Sequence, residues 1–300
     1  MDLRLTEDQE LIRRTARELL GSRVATAGVR AVAAEPAGFS ADLWKEMVAL
    51  GWTGLALPES CGGVGEGFLE LCLLIEEMGA AAVPSPFLVT TACCAAAIDR
   101  HGSPEQRDRL LAAVAQGRLL TYTRAAPGGG WATDGATVRS SVAGDGFVLD
   151  GTARFVPFGH VAQELLVVAE GAAGLTAFLV GAAAAGLRAE PLDVVGSGRE
   201  HDVVFDGVAV APDQVLGAVG DGAAVAETAD AFGAAATCAE MVGGAQRVLD
   251  MTISYAGERE QFGRPIGSFQ AVQHHCANMA IDVLTARYIA YEAIWRLTAP

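Results

Sequence analysis

Positive charge is scarce in this sequence: 21 Lys plus Arg face 36 Asp plus Glu, a formal net charge of -15 over 300 residues. A surface of that sign repels nucleic-acid backbones and anionic membranes, so neither is an expected partner. Cysteine is sparse too. Cys61, Cys72, Cys93, Cys94, Cys238 and Cys276 form no C-x-x-C pair and have no histidine at zinc-ligand spacing, which fits a reduced cytosol. The neighbours His274 and His275 would point about 100° apart on a helix and cannot easily share one ion, so no metal is expected. A clean membrane span is lacking. Residues 78–98 carry no charge, but Pro84 and Pro86 break the run and leave a shorter Ala/Cys-rich helix that reads as core. The N-terminus has no apolar core or cleavage site of a secretory signal, so the expected location is cytoplasmic.

What is abundant is apolar surface, at 51% of residues, enough for two or three packed units. Three stretches differ in period. Residues 1–118 read as an N-terminal helical domain, with a capping box at Thr6-x-x-Gln9, an N-cap at Ser40 and a proline-led start at Ser103-Pro104. Residues 119–217 alternate and are rich in glycine, which predicts a middle antiparallel β domain. Its segments are a hairpin turning at Gly144-Asp145-Gly146, then strands over 165–169, 176–180, 187–191 and 201–210. Residues 218–300 return to helical period as a C-terminal helical domain: one very long helix over 221–258, a break at Phe262-Gly263-Arg264-Pro265, and a second helix over 268–296. Val242-Gly243-Gly244-Ala245 marks a close helix crossing. The fold class is therefore α+β: helical, then β, then an incomplete helical bundle. Two long helices alone leave an apolar face uncovered.

The link between those helices carries the most specific signal. Arg259, Phe262, Gly263, Ile266 and Gln270 resemble the R-x-x-F-G-x-x-[I/L]-x-x-x-Q segment of the acyl-CoA dehydrogenase family. Pro58-Glu59-x-x-Gly62-Gly63-x-Gly65 with Glu76-Glu77-Met78-Gly79, and Asp206-Gly207-Val208-x-Val210-x-Pro212 with Val215-Leu216-Gly217, resemble two further stretches of it, in family order. The resemblance implies FAD as cofactor and an acyl-CoA thioester as substrate. An anionic thioester is compatible with the net charge, because local arginines outweigh distant screened charge. In that family the link reaches across an interface to a neighbour's FAD. Arg259 would neutralise pyrophosphate oxygens, Phe262 would pack near the adenine half, and Gln270 would hydrogen-bond at the diphosphate or adenosine. Gln261 stands where the family often has a hydroxyl residue and belongs to the same cofactor-binding set.

Other parts of the pattern are missing. The family's flavin-lining [V/L]-T-E-x-x-x-G-S-D loop corresponds to Tyr122-Thr123-Arg124-Ala125-Ala126-Pro127-Gly128-Gly129-Gly130-Trp131, where Thr123 survives as a cofactor-binding candidate. The W-I-T-N-G strand corresponds to Phe155-Val156-Pro157-Phe158-Gly159, and Pro157 removes a donor and a hydroxyl together. Proton abstraction beside the thioester needs a carboxylate base. One position the family uses for it falls on Gly233, and the other lies beyond Pro300. Glu240 and Glu227 are expected to be surface or interhelical charges, so no catalytic residue is assigned.

The half-site offered to a neighbour is thus kept, and the chain's own half-site is eroded. That implies the lesser subunit of a heteromeric acyl-CoA dehydrogenase, paired in a heterotetramer with a paralogous subunit that supplies the base. Such pairs include enzymes of bulky or steroid side-chain thioesters in lipid metabolism, with an electron-transfer flavoprotein as acceptor. Two other readings are a catalytically silent interaction protein of the same fold and a self-sufficient homo-oligomeric flavin oxidoreductase.

Overall fold

The structure, a computed structural model, describes residues 4–24, 26–123, 136–196 and 198–298. Six helices come first: α1 (Glu7–Arg23), α2 (Thr26–Ala34), α3 (Ala41–Ala49), α4 (Phe68–Ala81), α5 (Ala95–His101) and α6 (Pro104–Ala115). Their starts follow local chemistry. Thr6 Oγ1 accepts from Gln9 N at 3.2 Å while Gln9 Oε1 accepts from Thr6 N at 2.9 Å, and Ser103 and Gln106 repeat the capping box around Pro104. Ser40 Oγ accepts from Leu43 N. The uncharged run after Pro84 is core, as expected, but it begins with a π-helical turn, Val89–Cys94, that periodicity does not reveal.

Among the described residues eight strands follow: β1 (Leu120–Thr123), β2 (Val138–Ala143), β3 (Gly146–Pro157), β4 (Glu164–Gly171), β5 (Gly174–Gly181), β6 (Leu187–Pro191), β7 (Glu200–Val210) and β8 (Val215–Leu216). They form one sheet in the order β6-β7-β3-β2-β4-β5-β8, with β1 also on β4. The sheet is mixed rather than purely antiparallel, because β4 takes β1 and β2 in parallel. Alternation reports which face a residue takes, not the direction of its neighbour. The unbroken run Leu165-Leu166-Val167-Val168-Ala169 of β4 is buried on both faces. Leu166 and Val168 join Ile98, Leu110 and Leu111 of the helices, whereas Leu165 and Val167 join Val156, Phe178 and Val203.

The last elements are α7 (Gly222–Glu258), a short hairpin of β9 (Glu260–Gln261) and β10 (Arg264–Pro265), and α8 (Gln270–Thr298). The chain divides into two compact units. One holds Ala27–Gly67 and Pro84–Gly233, hence the whole sheet with α2, α3, α5, α6 and the start of α7. The other holds Met1–Thr26, Phe68–Val83 and Ala234–Pro300, hence α1, α4, most of α7, the hairpin and α8.

In this second unit α4 and α7 touch through glycine. A Cβ on Gly79 would overlap the Glu240 carbonyl, and one on Gly243 the Glu76 carbonyl. The expected close crossing at Val242-Gly243-Gly244-Ala245 is therefore real. Beside it two carboxylates are buried. Glu76 accepts from Arg287 Nε at 3.0 Å and from Tyr291 Oη at 2.7 Å, and Glu77 accepts from Arg17 at 2.7 and 3.0 Å. Buried charge persists only when paired in this way, and here the pairs fix α1 and α8 against α4. No helix of the described residues is long and apolar enough to cross a membrane.

Candidate functional site

The link at 259–270 is an ordered device. Arg259 N donates to Tyr255 O and Ile266 N to Arg259 O, each at 2.8 Å, which closes the connection at its base. Gln261 pairs with Arg264, and Glu260 with Pro265, leaving Phe262 and Gly263 as a two-residue turn. Both turn residues have positive φ, 55° and 77°, as type I′ hairpin turns require. Glycine takes that conformation freely; phenylalanine does so at a cost of about 1–2 kcal/mol. Burial does not compensate, since Phe262 is 93% exposed. Strain of this kind points to function.

Around the tip, Phe262 and Phe269 meet edge to face at 6.1 Å and 86°, and the Arg264 guanidinium sits 4.2 Å over the Phe269 ring. Arg259 is exposed and forms no salt bridge or side-chain hydrogen bond among the described residues, although Glu258 and Glu260 flank it. Glu258 instead accepts from Ser254 Oγ at 2.8 Å. Gln261 donates its amide to the Glu260 carbonyl, and Gln270 is exposed at the first position of α8. Arg259, Gln261, Phe262 and Gln270 are thus brought together on one exposed connection. Arg264 and Phe269 join them, and sequence reasoning misses both. An arginine and an aromatic ring near a turn become a specific signal only with coordinates.

Thr123, the fifth candidate, lies in the other unit at the end of β1. It is 2% exposed, and its Oγ1 has no hydrogen-bond partner among the described residues. An orphaned buried hydroxyl costs about 1–3 kcal/mol and calls for a partner from elsewhere. Thr121, two residues back on the same face of β1, donates to the carbonyl of Pro157. There β3 is irregular: its register to β7 shifts between Ala153 and Val156, and Phe155 and Phe158 have φ of 54° and 53°. Phe155 is exposed, with Arg154 5.5 Å over its ring. The loop from Arg124 to Trp131 lies outside the described residues.

No carboxylate stands at the expected base position. Gly233 is buried, and a Cβ there would come 2.6 Å from Cys93 Sγ. Cys93 fills that space as an inert thiol, its pKa pushed up to about 12 by burial. Glu240 is half-buried rather than a plain surface charge, and desolvation raises its pKa. Its backbone lies against Gly79 of α4, so it is an interhelical residue.

The comparisons with known proteins bear on family and fold. Residues 6–118 match the acyl-CoA dehydrogenase N-terminal domain, and residues 220–299 the acyl-CoA dehydrogenase C-terminal domain. The chain belongs to the acyl-CoA dehydrogenase family. Acyl-CoA dehydrogenase FadE27 of Mycobacterium tuberculosis is 34% identical over 264 residues, covering 86% of this chain and 67% of that one. A chain of the ChsE4-ChsE5 complex from Mycobacterium tuberculosis superposes with TM-score 0.91 at 30% identity, over 99% of this chain and 80% of that one. A chain of a Tcur3481-Tcur3483 steroid ACAD variant does so with TM-score 0.88 at 34% identity, over 98% and 79%. Acyl-CoA dehydrogenases are oxidoreductases with FAD as cofactor. Two observations among the described residues fit that group: an exposed, unpaired guanidinium at the base of a strained hairpin, and a buried hydroxyl without a partner.

Proposed function

We propose that this chain is one subunit of a heteromeric FAD-dependent acyl-CoA dehydrogenase, lending its 259–270 link to a flavin site completed by a paralogous subunit. The observation that carries the reading is Phe262: an exposed aromatic held at positive φ, near an Arg259 that has no partner among the described residues. Such a tip is built to enter another surface. Arg259 would neutralise pyrophosphate, Phe262 would lie against the adenine half, and Gln261 and Gln270 would supply hydrogen bonds. Thr123 would satisfy its Oγ1 on the chain's own side. When bound, FAD supplies the acceptor for hydride as the α,β-double bond of an acyl thioester forms.

In this reading the chain contributes binding and orientation and the partner supplies the base; the absence of a carboxylate at Gly233, with Cys93 in the space beside it, supports that division. Bulky acyl groups such as steroid side-chain fragments are the proposed substrates, since a steroid ACAD is among the similar solved structures. In this reading, residues 1–118, 119–217 and 218–300 act as the family's three domains, an electron-transfer flavoprotein takes the electrons, and the protein is cytoplasmic.

The test is Arg259→Ala in the full chain co-purified with a paralogous acyl-CoA dehydrogenase subunit. Loss of a charge-assisted contact should weaken FAD retention by about 1–3 kcal/mol, while the melting temperature of the chain stays unchanged. Retention equal to the wild type would remove the assignment.

A further inference from the structure

We infer that Arg264 is a positioning residue, which holds Phe262 in its exposed left-handed conformation through a ladder running from the Arg264 guanidinium to Phe269 to Phe262. This rests on the reading above, in that Phe262 is what the link presents to the adenine half of FAD.

The ladder solves a physical problem. A turn residue with φ of 55° has a better conformation available in the β region, and a ring that is 93% exposed has no core to hold it. Left alone, the tip would relax. Several contacts oppose that. Phe269 follows the turn of Ile266–Ser268 immediately before α8, and its carbonyl accepts from Val272 N and Gln273 N, so its backbone is anchored to the helix. The Phe269 ring meets Phe262 at 6.1 Å in a perpendicular contact and offers its face to Arg264 at 4.2 Å. Aromatic pairs prefer this arrangement, and a guanidinium is drawn to the ring's negative face. Arg264 itself sits opposite Gln261 in the hairpin, so the cation is delivered by the strand that pairs with the strained side. Gly267, whose Cβ would come 2.9 Å from the Ala256 carbonyl, lets the connection pack against the end of α7.

Arg264 therefore acts on FAD binding through Phe262, not as a second phosphate cation. The two roles are separable, because Phe269→Leu removes the ring and keeps the charge.

The experiment uses the full chain, with chymotrypsin cleavage after Phe262 as the readout of tip order and flavin retained by the co-purified complex as the readout of function. Arg264→Gln and Phe269→Leu should each raise the cleavage rate roughly two- to fivefold and lower FAD affinity by a similar factor, the range expected for exposed cation–π contacts. Arg264→Lys and Phe269→Tyr, which preserve cation and ring, should restore most of both. Wild-type cleavage in Arg264→Gln would overturn the ladder. Faster cleavage with unchanged FAD affinity would overturn its bearing on the flavin. A loss of FAD in Arg264→Gln that Phe269→Leu does not share would show a direct charge contact and overturn the positioning role. If Arg259→Ala keeps its FAD while the cleavage results hold, the reading of the link fails and the ladder stands.

Discussion

Phe262 and Glu200 show two ways in which a single residue departs from its comfortable state. Phe262 does so in backbone conformation, at a solvent-exposed tip. Glu200 does so in solvation: half-buried at the start of β7 and without an ion pair among the described residues, its carboxyl is pushed up to about 7 by burial. A carboxyl whose folded pKa lies above its unfolded one stabilises the fold below the unfolded value and loses that contribution as pH rises through the folded value. Glu200→Gln should therefore raise the melting temperature relative to the wild type at pH about 8, with the gain disappearing near pH 4.5. The neighbouring His201 has its pKa lowered by burial and by His160, so the comparison must be variant against wild type at each pH. An equal shift at both pH values would refute the assignment to Glu200. Arg259, Phe262 and Gln270 were legible in sequence as candidates because their offsets are fixed. Exposure and φ were not, and these distinguish a presented ring from a core ring.

At the scale of elements, glycines in one helix have opposite meanings. Gly243 lies where α7 meets α4, and a methyl group there would overlap the Glu76 carbonyl; Gly257, near the end of the same helix, has nothing within 4 Å of its Cβ position. Gly243→Ala should destabilise the fold by about 1–3 kcal/mol, as overpacking does. Gly257→Ala should stabilise it by up to about 1 kcal/mol through helix propensity. Chemical denaturation measures both, and equal effects would mean that α4 and α7 do not touch as described. Helix starts were legible because Thr6, Ser40 and Ser103 carry local capping chemistry. The π-helical turn at Val89–Cys94 and the parallel pairing of β1 and β2 with β4 were not, because neither leaves a mark on hydrophobic period.

At the scale of the whole molecule, the unit containing α8 and most of α7 leaves apolar side chains in solvent. Met241, Val248 and Tyr255 recur at heptad spacing along α7, and Ile281, Tyr288 and Trp295 do so along α8, each at least 41% exposed. That repeat is a helix-packing seam with no described residue filling it. It accords with assembly, and assembly is where the two halves of the flavin site would meet. The most direct measurement is flavin absorbance per mole of chain, for this protein alone and co-purified with a paralogous acyl-CoA dehydrogenase subunit. A site shared between subunits predicts a colourless protein alone and a yellow complex holding fewer than one FAD per chain. Full flavin occupancy of this chain by itself, with Arg259→Ala equally yellow, would contradict it.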